Sequence, residues 1–324
     1  MKTNKVRSFV LPLIAAMIWG TAFTMQDICA DSIDPFTFNA TRSIVAVVVL
    51  LIIIFIFDKL KKDKPVLTPE EKKAARKDLI LGGFCCGTAL TLASSFQQAG
   101  IAAGTDGGKA GFINALYVVL VPLFGLFLKR KVELPVWIAV GLSVASLYLL
   151  CMNGDKFRFQ IGDLLVLVCA FCFVFHIYFI DHFTATVDGI KLSCVQFMVV
   201  GLWSVVAKII CIILGLNGIG NVASASSIFA IPNWSAIMDC IIPILYLGIF
   251  SSGVAYTLQI LAQKNSNTTV VTIILSMESL FAVISGAIIL HQQMSGREYL
   301  GCALMLAAVI LAQIPNPFKK KAKT

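Results

Sequence analysis

Asp58-Lys59-Leu60-Lys61-Lys62-Asp63-Lys64 opens a stretch that runs to Lys77-Asp78 and holds eight Lys/Arg. The stretch in the matching place of the second half, Leu216 to Ala236, holds none. A second pair behaves the same way: Lys129-Arg130-Lys131 is answered by His291-Gln292-Gln293. Basic loops stay on the cytoplasmic side of a membrane. Loops alike in position and opposite in charge therefore predict two halves threaded through a bilayer in opposite senses. That architecture mostly serves transport.

Composition agrees. The chain is 58% hydrophobic and 13% charged, with mean hydropathy +0.90, outside the range of soluble domains. The net charge of +9 does not form a nucleic-acid patch. Its basic residues alternate with apolar runs, at Lys2, Lys5 and Arg7, at 59–77, at 129–131 and at Lys319 to Lys323. They read as topology signals with some attraction to anionic lipid. The expected partners are the bilayer and a small molecule, with no nucleic acid, in a monomer or homodimer. The ten cysteines show no secreted spacing pattern. Cys169 and Cys172 form a CxxC inside an apolar run, where they read as small buried side chains and not as metal ligands. No cofactor and no metal are expected. The first apolar run reads as a retained span, since Trp19, Thr24 and Gln26 follow it without an A-x-A cleavage signal.

A spanning helix needs roughly 20 mostly apolar residues. Suitable runs fall at 8–28, 36–57, 79–99, 106–128, 134–152, 162–181, 190–215, 237–260, 268–290 and 297–314. Gly100, Gly104 and Gly107 blur the break at 99–106. An internal repeat is visible in the third run of each half. Leu81-Gly82-Gly83-Phe84-Cys85-Cys86-Gly87-Thr88-Ala89 matches Leu247-Gly248-Ile249-Phe250-Ser251-Ser252-Gly253-Val254-Ala255 at Leu, Gly, Phe, Gly and Ala. Gln97 and Gln263 then share one offset. Five spans per half is an odd number, so the second half must start on the other side of the membrane. The expected fold is an all-α integral membrane protein of ten transmembrane helices in two inverted five-helix repeats. The repeats would be 8–152 and 160–314, with a basic cytoplasmic tail at 315–324. Both termini inside puts about 20 of the 26 Lys/Arg in cytoplasmic segments. The expected location is the plasma membrane.

Trp19-Gly20-Thr21-Ala22-Phe23 resembles the first-helix signature of the EamA branch of the drug/metabolite transporter superfamily. The fourth span, Lys109 to Pro122, is similar to that family's fourth helix, and Leu275-Ser276-Met277-Glu278-Ser279-Leu280 to its ninth. Ser279 stands where the family often has proline, and Gln292-Gln293 where a Glu-Arg pair is common. The resemblance covers residues 8 to 314. It implies ten helices, two EamA repeats and a central substrate cavity. It does not select among amino acids, nucleotide-related compounds, sugars and drugs.

Ionisable groups at membrane depth are costly unless they face a cavity or a partner. Glu278 lies mid-span and can carry a proton or bond a neighbouring helix. Asn39 and Arg42 share a face near the outer end of the second span. Arg42 suits a carboxylate or phosphate, or an interfacial partner. Lys109 opens the fourth span, with Asn114 and Tyr117 deeper on one face. Trp19, Phe23 and Gln26 recur at helical spacing on the first. Aromatic walls with a few polar contacts are typical of small-molecule sites. Trp203, Tyr256 and Gln259 extend the candidate lining, and His176 is a cavity or packing residue.

The expected activity is secondary active transport, export or import, of a small organic metabolite by alternating access. A proton gradient or substrate exchange would drive it. Two other classes remain. His176 and Asp181 form the H-x4-D spacing of membrane acyltransferases, though no phosphate-binding loop accompanies it. A sensor would carry a soluble output domain, and the longest cytoplasmic loop holds only about twenty residues. No G-x-x-x-x-G-K-[ST] loop is present, which argues against ATP coupling. The chain reads as a non-enzyme.

Overall fold

The computed structural model describes residues 2–30, 32–60, 68–105, 107–151, 160–213, 234–264, 266–289 and 295–314. All regular structure there is helical. The helices are α1 (Lys2–Ala30), α2 (Pro35–Leu60), α3 (Pro69–Ala102), α4 (Gly107–Ala115), α5 (Tyr117–Phe127), α6 (Leu134–Cys151), α7 (Ile161–Phe183) and α8 (Gly189–Ile213). They continue with α9 (Trp234–Asp239) and α10 (Ile241–Tyr246), a π-helical stretch (Leu247–Ala255), α11 (Tyr256–Gln263), α12 (Thr268–Leu275), α13 (Glu278–Ile289) and α14 (Gly296–Gln313). Among the described residues, eight helical segments are long and apolar enough to cross a bilayer, and Ser8–Ala22 and Leu134–Leu150 are shorter apolar helices. The neutral 216–236 stretch lies almost wholly, and 291–293 wholly, outside the described residues, as do 61–67 of the basic loop.

Side chains are sorted as lipid demands. On α2, Ile44, Val48, Leu51, Ile52 and Phe55 point outward while Asn39, Arg42, Ser43 and Ala46 are buried. Outside water, apolar surface costs nothing when exposed, so the polar residues go inside, where they find partners. The outward faces of α8 and α14 follow suit, with Leu202, Ile209, Leu306 and Ile310 exposed.

Two ion pairs fix the relative direction of α2 and α8. Lys191, at the start of α8, meets Asp58, at the end of α2, at 3.1 Å. Lys208, near the end of α8, meets Asp34, just before α2, at 3.3 Å. The two helices are antiparallel. Close approaches extend the register: a Cβ on Gly87 would strike Val199, and one on Gly83 Val195, so α3 runs with α8. Gly82 abuts Phe183 and Gly100 abuts Val166, so α7 runs against α3. The Asp58 end therefore also holds the Arg130–Asp181 pair at 2.6 Å. The Asp34 end holds Thr105, whose hydroxyl donates to Asp163 at 3.1 Å.

The helices leave the expected spans in several places. The third extends to Pro69, because Thr68 and Glu71 form a capping box that starts it ten residues early. The 99–106 break is real: α3 ends at Ala102, and Gly104 turns the chain with φ +90°. The expected 237–260 span is a chain of short helices around the π-helical stretch.

Two lobes flank the centre. In one, α6 and α14 pack together through Leu147, Leu150, Met305 and Val309, and Ser146 Oγ donates to the Gly301 carbonyl at 2.7 Å. In the other, Ala46, Leu50, Leu90, Phe197 and Val200 join α2, α3 and α8.

Candidate functional site

The fourth and ninth expected spans are both broken near their middle. The fourth divides at Leu116, where the amide of Leu116 reaches back three residues to Ile113 at 3.2 Å. The ninth divides at Ser276-Met277, where Met277 bonds Ile274 at 3.1 Å in the same tightened way. No proline causes the second break. Instead the Ser276 hydroxyl donates to the Ile273 carbonyl at 2.7 Å, meeting one acceptor near the broken turn. The first residue after each break is Tyr117 in one case and Glu278 in the other. Tyr117 Oη donates to Glu278 Oε1 at 3.3 Å.

These two residues form part of the wall of a narrow central cavity of about 40 Å³. From the first half come Trp19, Ala22 and Gln26 of α1, Arg42 of α2, Gln97 of α3, Asn114 of α4 and Tyr117 of α5. From the second half come Phe173 and Ile177 of α7, Ser251, Tyr256 and Gln259, Leu275 of α12 and Glu278 of α13. The Trp19 and Tyr256 rings meet at 4.8 Å, and the Trp19 indole donates to the Ser251 carbonyl at 3.4 Å. Ser251 lies in the π-helical stretch, where the wider turn re-aims backbone carbonyls, and such stretches recur at functional sites. Tyr117 packs near Phe173 at 6.2 Å. Cys169, behind the wall, donates its thiol to Asn114 Oδ1 at 3.3 Å, and both CxxC cysteines are free thiols.

Arg42 is the unusual group. Its side chain is 6% exposed, its Nε has no hydrogen-bond partner, and its guanidinium rests over the Phe38 ring at 5.3 Å. Among the described residues no carboxylate pairs with it; a buried cation needs such a partner, and the cavity has room for one on a ligand.

Of the residues singled out from sequence, Trp19, Gln26, Arg42, Asn114, Tyr117, Tyr256, Gln259 and Glu278 line this cavity. Three lie elsewhere. Asn39 is fully buried one turn from Arg42 and donates to Ser95 at 3.4 Å. His176 sits behind the wall, with Nε2 at 2.9 Å from Gln196 Oε1 and its ring against Tyr256 at 5.9 Å. Trp203 is on the outer face of α8, half-exposed beside Phe84, and donates to Thr88 at 3.0 Å. The side chains of Phe23 and Lys109 lie outside the described residues. Gln97, Phe173, Ile177 and Ser251 were not singled out as lining. Gln97 had a signal in its shared offset with Gln263, whose amide instead donates to the Ile177 carbonyl at 3.3 Å.

The sequence model of the EamA-like transporter family matches residues 7–152 and again 160–313. The chain belongs to the EamA-like transporter family. It is a multi-pass membrane protein. Its relatives include an "Uncharacterized transporter" of Archaeoglobus fulgidus, 27% identical over 307 residues, covering 93% of this chain and 84% of that one. "Uncharacterized transporter YwfM" of Bacillus subtilis is 26% identical over 167 residues, 51% of each chain. A solved crystal structure superposes with a TM-score of 0.72 at 14% identity, covering 94% of this EamA-family chain and 96% of its own. At that identity the likeness speaks for the fold alone.

Proposed function

We propose that this chain is a secondary active transporter of a small organic metabolite, built as ten spanning helices in two inverted five-helix repeats. The cavity carries the reading, because each half supplies about half of its wall and each contributes a broken helix at its edge. Discontinuous helices in corresponding places of two repeats mark the substrate site in such folds. The antiparallel run of α2 and α8, second helix of each half, supports the inversion. Rocking of one repeat against the other would open the cavity alternately to each side. Both termini then face the cytoplasm of a plasma membrane, with the basic 59–77 loop. The driving force is a proton gradient or substrate exchange, with Glu278 as the candidate proton carrier.

A transporter is favoured over a membrane enzyme by the partners of the H-x4-D pair. His176 is bonded to Gln196, whereas Asp181 accepts from Thr268 at 2.8 Å and pairs with Arg130. Neither is arranged as a base for the other.

The test uses purified protein in liposomes loaded with a defined mixture of small metabolites, read by mass spectrometry. Selective, protein-dependent passage of one class, lost in a Tyr256→Ala, Gln259→Ala variant, is expected. Equal leakage with and without protein would reject transport.

A further inference from the structure

Arg42 and Glu278 face one cavity from different walls, and no ion pair within 4.0 Å joins them among the described residues. Neither charge is therefore neutralised by the other. The Arg42 guanidinium is more than nine-tenths buried with Nε unmet, and Glu278 spends Oε1 on Tyr117. Their depths differ. Taking 1.5 Å per residue, the bundle spans roughly 36 Å from Asp34 to Asp58, Arg42 lies roughly 12 Å in from the Asp34 end, and Glu278 roughly 15 Å in from Thr268 at the other. About 9 Å then separates the two backbone levels. Amide side chains, Gln26 and Gln97, share the wall with Arg42, the Phe173 ring lies at an intermediate level, and the Trp19 ring lines the wall near the level of Glu278.

We infer that the substrate is a small zwitterion whose acid and amine are separated by an apolar spacer, the acid on Arg42 and the amine on Glu278. This rests on the reading of the cavity as the substrate site and names the class of molecule it takes. A planar guanidinium binds a carboxylate through two parallel N–H donors, and a carboxylate opposite binds an ammonium. A simple anion leaves Glu278 unmatched, and a simple amine leaves Arg42 unmatched. The two charges of the ligand complete both.

The experiment is calorimetric titration of the full chain in detergent with glycine, 6-aminohexanoate, hexanoate and hexylamine. 6-Aminohexanoate is expected to bind about tenfold or more tightly than either analogue lacking one end, the loss of one charge-assisted contact. It should also bind more tightly than glycine. Arg42→Gln should equalise 6-aminohexanoate with hexylamine, and Glu278→Gln should equalise it with hexanoate. The inference is overturned if either single-charge analogue binds as tightly as 6-aminohexanoate, if glycine binds more tightly, or if none binds. It is equally overturned if both variants keep the wild-type ranking. Should a variant not fold, the wild-type ranking decides alone. Binding without passage into liposomes would reject transport and leave this inference standing. Passage of metabolites with no preference for spaced zwitterions would do the reverse.

Discussion

Tyr117 and Glu278, each the first residue after a break in its helix, meet at 3.3 Å across the line between the two halves. The contact ties the break of one repeat to that of the other. In the proposed rocking of the repeats, its strength would bear on how readily the halves part. Tyr117→Phe is expected to lower stability in detergent by about 1 kcal/mol, the ordinary worth of a hydrogen bond. Transport should slow by more than that shift explains. Unchanged transport with unchanged stability would make the contact incidental.

Glu278→Gln keeps the shape of the side chain and removes its capacity to carry a proton. Uptake driven by a pH gradient should vanish, while exchange of substrate at equal pH continues. Flux assays in proteoliposomes with and without a gradient read both quantities. Full gradient-driven uptake in the variant would exclude the residue as proton carrier.

The Asp34–Lys208 pair is buried, with side chains 1% and 8% exposed, and Asp34 Oδ1 also accepts from the amides of Phe36 and Thr37 at 3.1 Å. Lys208→Met leaves a buried carboxylate short of its cation, at an expected cost of about 3 kcal/mol. Adding Asp34→Asn keeps the helix cap and should recover part of that loss. Thermal unfolding of the two single variants and the double gives the coupling, and strict additivity would contradict it.

Gly20 and Gly111 separate a close approach from open space. A Cβ on Gly20 would lie 2.6 Å from Phe281 Cβ and 2.8 Å from the Glu278 carbonyl, so Gly20→Ala pushes α1 off α13. A loss of about 1–3 kcal/mol follows, with damage to the cavity edge at Glu278. Gly111 has nothing within 4 Å, and Gly111→Ala should stabilise its helix by about 0.5–1 kcal/mol. Equal effects in melting assays would remove the distinction.

Much of this was legible in the chain itself. The apolar runs, the repeat around Gly82 and Gly248, and the membership of the family all follow from residues that stand out by type. What failed to show was rotation about helix axes. Phe173 and Ile177 lie in a run that is apolar all round, so no polar face reveals which side turns inward. Asn39 and Arg42 share a face by spacing, yet one turn of depth leaves Asn39 against Ser95 and Arg42 at the cavity. Trp203 turns outward because lipid accepts an indole as readily as a cavity does. Ser251 enters the wall through a π-helical stretch, which has no sequence mark to set it apart.

The most direct test of the account is the sidedness of the two unlike loops. Single cysteines at Lys62 and Ser226, in a background cleared of native cysteines, would be challenged with a membrane-impermeant maleimide on intact cells and on inverted vesicles. Labelling of Ser226→Cys only on cells and of Lys62→Cys only on inverted vesicles is predicted. Labelling of both from one compartment would contradict two halves that cross the bilayer in opposite senses, and with it a cavity that opens alternately to each side.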